Sequence, residues 1–247
     1  KMDPRKIYVV SLMPCTAKKF EAQRPENTSA NDYWKKKLKL KEKDRFFDVD
    51  AVLTTREAAR MMKEAGIDFI NLPDEDFDKP LGISTGAGTI FGATGGVMEA
   101  ALRTAYEVIT GKTLKQLDFK ALRGLKGIKE TEVDLNGLKL KVAAVSGLAN
   151  AKKIMKDIEA GKSPYHFIEI MCCPGGCLAG GGQPIPTNIE IKKKRSLAVY
   201  REDKNMPLRK SHENPSVKAL YSEFLKKPLG EKSHALLHTH YTRRKLY

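Results

Sequence analysis

The sequence has few cysteines and no long apolar run. No stretch approaches the roughly 18 apolar residues that a membrane-spanning helix requires. The start, KMDPRKIYVV, lacks a signal-peptide core. Three of the four cysteines fall within six positions, which excludes a disulfide framework. No internal repeat or zinc-finger spacing occurs. These absences leave a soluble domain, or two small ones, with clustered thiols that indicate metal chemistry in a reducing compartment.

Basic residues are abundant, and the net charge is +15. The stretch KKKLKLKEKDR at 35–45 alone carries seven basic residues and two acidic ones. We interpret this segment as a solvated surface insertion, near 33–46, that meets an acidic partner or is disordered. A dedicated nucleic-acid site is the weaker alternative, because no recognition motif accompanies the charge.

Short apolar runs alternate with helical patterns along the chain. Strands are predicted at 7–13, 51–53, 69–72, 140–147 and 166–171. Helix boundaries are indicated by a capping box at Thr54, by glycines at 66, 111 and 161, and by Asn214 before Pro215. The segment 94–111 is predicted to be a helix with an apolar stripe formed by Val97, Ala101, Ala105 and Val108. The pattern predicts an α/β fold with mainly parallel sheets flanked by helices.

Both cysteine segments follow predicted strands. Cys15 comes after IYVVSLMP, and the segment 172–177 comes after HFIEIM. Sheets of this class place their chemistry at the carboxyl ends of strands. The coincidence predicts one functional site that uses both segments.

The spacing of the thiols favours an iron–sulfur cluster over other metal sites. Structural zinc usually takes two closely spaced ligand pairs, whereas only Cys173 and Cys177 form such a pair here. The segment also lacks the third cysteine of a radical-SAM motif and the two-residue gap of a redox dithiol. Iron–sulfur clusters accept thiolates from distant segments, and glycine-rich backbone can approach their sulfides. The plain alternative is that the cysteines are core residues.

A second glycine-rich segment, STGAGTIFGATGG at 84–96, matches no phosphate-binding fingerprint. Phe91 stands where a dinucleotide motif has its third glycine, and no Gly-Lys-Ser/Thr follows. We expect this segment to admit some other group close to its backbone, at the start of the helix after Gly95.

Four segments together resemble the [FeFe]-hydrogenases. MPCTAKKFE (13–21) and FIEIMCCPGGCLAGGGQP (167–184) resemble two cysteine signatures of that family. GAGTIFGATGGVMEAALR (86–103) and LGEKSHALLHTHY (229–241) resemble further parts of its catalytic domain. The resemblance covers essentially the whole chain outside the lysine-rich insertion. It implies a two-lobed catalytic domain with the active site between the lobes.

The resemblance implies an H-cluster, a [4Fe–4S] cubane joined to a di-iron unit that bears CO, cyanide and a bridging dithiolate. Cys15, Cys173 and Cys177 would be cubane ligands, and Cys177 would be shared with the di-iron unit. Lys18 would donate to a cyanide. The side chains and backbone that would wall the di-iron unit are those of Met13, Phe91, Gly92 and Met171. The implied activity is the reversible oxidation of H2 to protons and electrons.

The sequence also departs from the family pattern. The family's first cysteine signature, which supplies the fourth cubane ligand and the proton relay, is not found in residues 1–247. We therefore expect residues 1–247 to be the C-terminal part of the catalytic domain, completed by an N-terminal segment or a companion chain. Cys172 replaces a usual alanine and is not counted as a ligand, and Ile83 replaces an expected acid. None of the five histidines is expected to be a ligand.

The resemblance also sets expectations about partners and location. Electrons would arrive through further iron–sulfur domains or subunits, linked to ferredoxin or NAD(P)H. We expect a cytoplasmic, anaerobic protein with no membrane span and no nucleic acid, and leave organellar and periplasmic locations open. The alternative function is a hydrogenase-like protein that carries cubanes for assembly or scaffolding without H2 chemistry.

Overall fold

Short strands alternate with helices in the computed structural model, which describes residues 2–79 and 82–243. The strands are β1 (Val10–Met13), β2 (Ala51–Thr54), β3 (Ile128–Leu135), β4 (Leu138–Ser146) and β5 (Phe167–Met171). The α-helices are α1 (Ala17–Ala22), α2 (Ser29–Leu38), α3 (Thr55–Glu64), α4 (Gly86–Thr89), α5 (Gly96–Thr110), α6 (Leu148–Glu159), α7 (Ile189–Asn205), α8 (Pro215–Ala219) and α9 (Glu231–Leu237). A π-helical turn, Leu220–Leu225, continues α8. The predicted α/β class is confirmed, and β1–β2 and β4–β5 pair in parallel.

The chain divides into two compact units. Unit 1 comprises residues up to 76 together with 181–184 and 219 onward, and unit 2 comprises 77–180 and 185–218. Unit 1 contains the two-stranded sheet of β1 and β2, in which Met13 is paired with Thr54. Unit 2 contains the three-stranded sheet in the order β3–β4–β5, with β3 and β4 antiparallel.

The sheet of unit 2 is covered on both faces. Val142 and Ala144 point to one face and pack in a core with Met98 and Leu102 of α5. Ala143 and Val145 point to the other face and pack with α6. The alternation follows from the two-residue period of a strand. The parallel pairing of β4 with β5 places their carboxyl ends together at one edge of the sheet.

The predicted helix boundaries are confirmed. Thr54 and Glu57 form the capping box of α3. Gly66, Gly111 and Gly161 have positive φ just after their helices, where a side chain would be strained. The Asn214 carboxamide accepts from the Ser216 N–H at the start of α8.

The predicted strand at 69–72 is wrong. These residues form a turn, in which the Asn71 N–H donates to the Asp68 carbonyl and the Asn71 carboxamide donates to the Asp68 carboxylate. Such local bonds compete with strand pairing. Phe69 and Ile70 are exposed.

The sequence interpretation missed β3 and misplaced the buried face of α5. β3 joins β4 through Asn136-Gly137, both with positive φ. That dipeptide is the strongest short-range signal of a hairpin. In α5 the fully buried residues include Glu99 and Arg103 beside Met98, whereas Val108 is 70% exposed. The stripe was misassigned because a charged pair occupies the inner face.

The lysine-rich segment belongs to unit 1 and is not disordered where it is described. Its first part lies in α2, and Leu40 is buried. The ring of Tyr33 meets that of Phe224 at 6.1 Å between centroids. Of the two alternatives for this segment, disorder does not fit the described residues, because α2 carries aromatic residues that pack within unit 1. An acidic partner stays a prediction.

Candidate metal centre

Cys15 lies in the turn between β1 and α1. Its thiol group is half-buried, one residue beyond Pro14 at the carboxyl end of the parallel pair β1–β2. The segment 181–184 packs against this turn, because the Gly182 N–H donates to the Pro14 carbonyl at 3.1 Å. A Cβ on Gly182 would stand 3.0 Å from the Cys15 nitrogen and 2.8 Å from the Thr54 Cβ. Glycine is therefore required for this close approach.

A second anchor holds the same segment in unit 1. The backbone N–H of Arg56 donates to the Gly182 carbonyl, and its guanidinium donates to the Gln183 carbonyl at 2.8 Å. Arg56 lies in the first turn of α3. The last residues of the FIEIMCCPGGCLAGGGQP motif are thus fixed beside the turn that carries Cys15.

Cys173 and Cys177 lie in the glycine loop that follows β5. The Gly176 N–H donates to the Cys173 carbonyl at 2.8 Å, which closes the loop into a turn. Gly175 and Gly176 have φ of +92° and +93°, a region that favours glycine. Cys173 is half-buried, whereas Cys172 and Cys177 are exposed.

The 86–96 segment touches the cysteine loop backbone to backbone. The Thr94 N–H donates to the Gly175 carbonyl at 3.3 Å. A Cβ on Gly176 would stand 2.6 Å from the Thr94 nitrogen and 2.8 Å from the Gly92 oxygen. The Thr94 hydroxyl is buried and has no hydrogen-bond partner among the described residues. The two glycine-rich motifs therefore form one continuous structure in unit 2.

The remaining predicted site residues fall into two groups. Met13 and Lys18 flank Cys15 in unit 1, and the Lys18 amine forms a salt bridge of 2.6 Å with Glu21 at the surface of α1. Met171 ends β5 in unit 2, and Phe91, 47% exposed, precedes Gly92 in a 3-10 turn. Gly92 and the cysteine loop are brought together.

Two buried charged residues next to these loops were missed by the sequence interpretation. Lys129 of β3 donates its amine to the Thr94 carbonyl at 2.6 Å, and Glu169 of β5 accepts from the Gly95 and Met98 N–H groups. Burial lowers the pKa of Lys129 to about 8, and the Glu169 carboxylate opposes that shift. The Asn136-Gly137 hairpin signal would have placed Lys129 on a strand.

These residues fit a metal–thiolate centre. The thiols stand at the carboxyl ends of parallel strands, and glycines beside them bring backbone amides close, as iron–sulfur sulfides require. The buried hydroxyl of Thr94 adds an unused polar group at the same loop. Fold and site together define a thiolate-rich α/β protein.

Comparison with known proteins gives the family. The protein family described as "Iron only hydrogenase large subunit, C-terminal domain" matches residues 1–181, and the family described as "Iron hydrogenase small subunit" matches residues 189–244. The chain belongs to the iron-only hydrogenase family.

Relatives and solved structures agree with the family match. The chain is 52% identical to NADP-reducing hydrogenase subunit HndD of Solidesulfovibrio fructosivorans, over 97% of this chain and 38% of that protein. It is 35% identical to Protein NAR1 of Arabidopsis thaliana, over 95% of this chain and 50% of that protein. A variant of the [FeFe]-hydrogenase HydA1 from Chlamydomonas reinhardtii superposes with a TM-score of 0.76 at 41% identity, over 97% of this chain and 64% of that one. The chain thus spans half or less of the two curated relatives.

No helix among the described residues is long and apolar enough to cross a membrane.

Proposed function

We propose that this chain forms part of the catalytic domain of an H2-converting enzyme and holds an H-cluster. The observation that carries the proposal is the placement of both cysteine motifs at the carboxyl ends of parallel strands, with the 86–96 glycine loop bonded to the second motif. The 52% identity to an NADP-reducing hydrogenase subunit supports the same activity.

Cys15, Cys173 and Cys177 would hold the cubane as thiolates, with Cys177 shared with the di-iron unit. When bound, the cofactor supplies the interconversion of H2 with protons and electrons. Cys15 belongs to unit 1, and Cys173 and Cys177 belong to unit 2.

Lys18 would contribute a charged donor to a cyanide ligand. A cyanide removed from water requires such a donor, and an ammonium gives the stronger, charge-assisted bond. The Lys18–Glu21 salt bridge is largely exposed, with 43% and 39% of the two side chains accessible. Exposed pairs of this kind contribute only about 0–1 kcal/mol, so Lys18 can exchange Glu21 for an anionic ligand at small cost.

Phe91, Met13 and Met171 would exclude water from the di-iron unit. Aromatic and thioether side chains are apolar and offer no competing acidic proton. Gly92 would let the backbone approach the diatomic ligands, because it carries no side chain.

We further propose that an additional segment or companion chain supplies the fourth cubane thiolate. A cubane takes four thiolates, and Cys172, the remaining cysteine, is exposed beside half-buried Cys173. Exposed apolar side chains in unit 1 support this need. Tyr8, just before β1, and Leu12 of β1 are exposed, and an apolar groove of about 520 Å³ lies beside Leu12 and Phe69. The added part would also carry the proton path and the clusters that lead electrons in, linked to ferredoxin or NAD(P)H.

A second candidate is a cubane carrier for iron–sulfur assembly without H2 chemistry. The 31% identity to the cytosolic Fe-S cluster assembly factor narfl of Danio rerio, over 97% of this chain and 56% of that protein, favours it. The hydrogenase proposal is preferred because Met13, Lys18 and Phe91 have no task in a protein that holds only cubanes.

Infrared spectroscopy tests the proposal. The protein is matured anaerobically with a synthetic di-iron precursor, and the spectrum is recorded in the window where iron-bound CO and cyanide absorb and polypeptide does not. CO and cyanide bands together with H2 evolution are expected. A protein that binds a cubane yet shows neither band under these conditions is a cubane carrier. Residues 1–247 matured alone should evolve no H2, and robust turnover by them would refute the need for an added thiolate.

A further inference from the structure

Three residues form a row across the sheet of unit 2. Lys129 of β3 is paired with Ala144 of β4, and Ala144 is paired with Glu169 of β5. Directly paired residues point to the same face, and neighbouring strands lie about 4.8 Å apart, so the Lys129 and Glu169 backbones are roughly 10 Å apart. Ala144 is fully buried and small, which leaves room for both long side chains above it.

The charged amine of Lys129 donates hydrogen bonds to backbone carbonyls. Lys129 is only 4% exposed, and its amine donates to the Thr94 carbonyl at 2.6 Å and to the Gly124 carbonyl at 2.9 Å. Among the described residues no carboxylate forms a salt bridge with it. Burying an ammonium is costly, and here the two carbonyls and the charge of the Glu169 carboxylate offset that cost.

Glu169 supplies the cap that α5 lacks. Gly95 stands at the N-cap with φ of +96° and has no side chain to accept a bond. The Glu169 carboxylate accepts from the Gly95 N–H at 2.6 Å and from the Met98 N–H at 2.7 Å. A carboxylate at this helix end is also favoured by the helix dipole.

The two side chains bind the backbone at residues 94–98. Lys129 fixes the carbonyl of Thr94, and Glu169 fixes the next amide. The Thr94 N–H bonds to Gly175 of the cysteine loop. The charged row on the sheet therefore binds the same stretch of backbone that bonds to the cysteine loop.

We propose that Lys129 and Glu169 are positioning residues, which hold the Phe91–Gly92 turn against the Cys173–Cys177 loop. The inference rests on the proposed function in one respect, that this turn walls a cofactor. The positioning itself depends only on the chain's own contacts. Neither residue is expected to touch the cofactor.

Glu169→Gln and Lys129→Met are the test variants. The glutamine oxygen can accept one amide, but its NH2 group faces the other N–H and cannot accept it. Methionine retains an apolar stem without a donor. Lys129→Arg keeps the charge and several donors, and serves as the conservative variant. The matched control is the exposed pair on the same hairpin, Glu132→Gln and Lys139→Met, whose side chains are 53% and 70% accessible.

Amide hydrogen exchange is measured on the full, cluster-loaded protein. Glu169→Gln and Lys129→Met should each raise exchange at 94–98 at least about tenfold, with β4 and α6 unchanged, because a buried charge-assisted bond is lost locally. Lys129→Arg should restore at least part of the protection, and the controls should leave it unchanged. Unchanged exchange at 94–98, or equally faster exchange throughout unit 2, would overturn the positioning role. If Glu169→Gln fails to fold, Lys129→Arg and Lys129→Met decide between these outcomes.

Infrared spectra of the same samples connect positioning to the cofactor. With iron content retained, the variants should show shifted or broadened CO bands, and the controls should show wild-type bands. Sharp wild-type bands in both test variants would refute the link to the site. Absence of CO bands in the wild-type protein would refute the proposed function, while the exchange data would still judge the positioning role.

Discussion

Substitution of Arg103 should be among the most destabilising changes in the chain. Arg103 is fully buried in α5, and its guanidinium uses all five N–H donors. Two bonds of 2.7 and 2.8 Å go to the Asp203 carboxylate and one of 2.6 Å goes to Glu99. The other two go to the backbone carbonyls of Leu117 and Arg209. This centre joins the segment matched as large subunit to the segment matched as small subunit.

The size of the effect follows from what remains after Arg103→Met. Breaking a buried ion pair costs about 3–5 kcal/mol, because a buried charge is left uncompensated. Here Asp203 keeps Arg209 at 2.6 Å, and Glu99 keeps Arg123 at 2.6 Å. We therefore expect Arg103→Met to lower the free energy of unfolding by about 3 kcal/mol, the lower end of that range. For a protein of 150–250 residues this corresponds to a fall in Tm of roughly 6–12 °C.

The assay is thermal and urea unfolding followed by far-UV circular dichroism, at equal cluster loading for all variants. The fluorescence of Trp34, the single tryptophan, provides a second probe, in unit 1. Coincident transitions of the two probes are needed before a free energy is assigned. Lys193→Met is the control, because its pair with Glu190 is exposed and contributes at most about 1 kcal/mol. If the free energy of unfolding of Arg103→Met lies within 0.5 kcal/mol (roughly the error of such comparisons) of that of the control, the reasoning about the buried network is wrong.

Four further predictions concern the site and the surface. Cys173→Ser should abolish cluster binding while Cys172→Ser leaves it, and a normal iron content in Cys173→Ser would remove Cys173 from the ligand set. Lys18→Met should lose the di-iron unit or most activity with the cubane retained and the unfolding midpoint unchanged; full activity with unaltered cyanide bands would exclude Lys18 from the site. Burial raises the pKa of Glu107, but hydrogen bonds from Lys210, the Leu114 N–H and His212 outweigh it and hold the value at about 2. Because the folded pKa lies below the unfolded 4.5, this stabilisation is present above pH 4.5 and is lost as pH falls towards 2, and Glu107→Gln should reduce the wild-type loss of stability in that window by the share that Glu107 contributes. H2 evolution with an artificial electron donor should be unchanged when three exposed lysines of the basic segment, Lys39, Lys41 and Lys43, are replaced by glutamine. Loss of activity would give the segment a role in chemistry.

Much of the local structure could be predicted from the sequence, because its signals act within a few residues. The capping box at Thr54, the glycines that end α3, α5 and α6, and the Asn214 cap each depend on contacts within one helical turn. The same holds for the two cysteine motifs, whose place at the carboxyl ends of parallel strands follows from the apolar runs before them.

The lysine-rich segment and the 69–72 run show where local pattern is insufficient. A dense run of lysines indicates solvation, yet α2 is held in unit 1 by aromatic contacts that reach Phe224, far along the chain. The apolar residues Phe69, Ile70 and Leu72 indicate a strand, yet Asp68 and Asn71 close a turn there. The first outcome depends on a partner far along the chain, and the second depends on hydrogen bonds between neighbouring residues that compete with strand pairing.

The sequence by itself determined the helix caps, the strand-end cysteines and the family resemblance. Tertiary structure alone decided the row of Lys129, Ala144 and Glu169 and the inner face of α5. Glu99 and Arg103 look like a surface pair in sequence, and Arg103 is buried only because Asp203, a hundred positions away, completes its charge balance. Pairings of that kind join distant segments of the chain, and a linear pattern carries no signal for them.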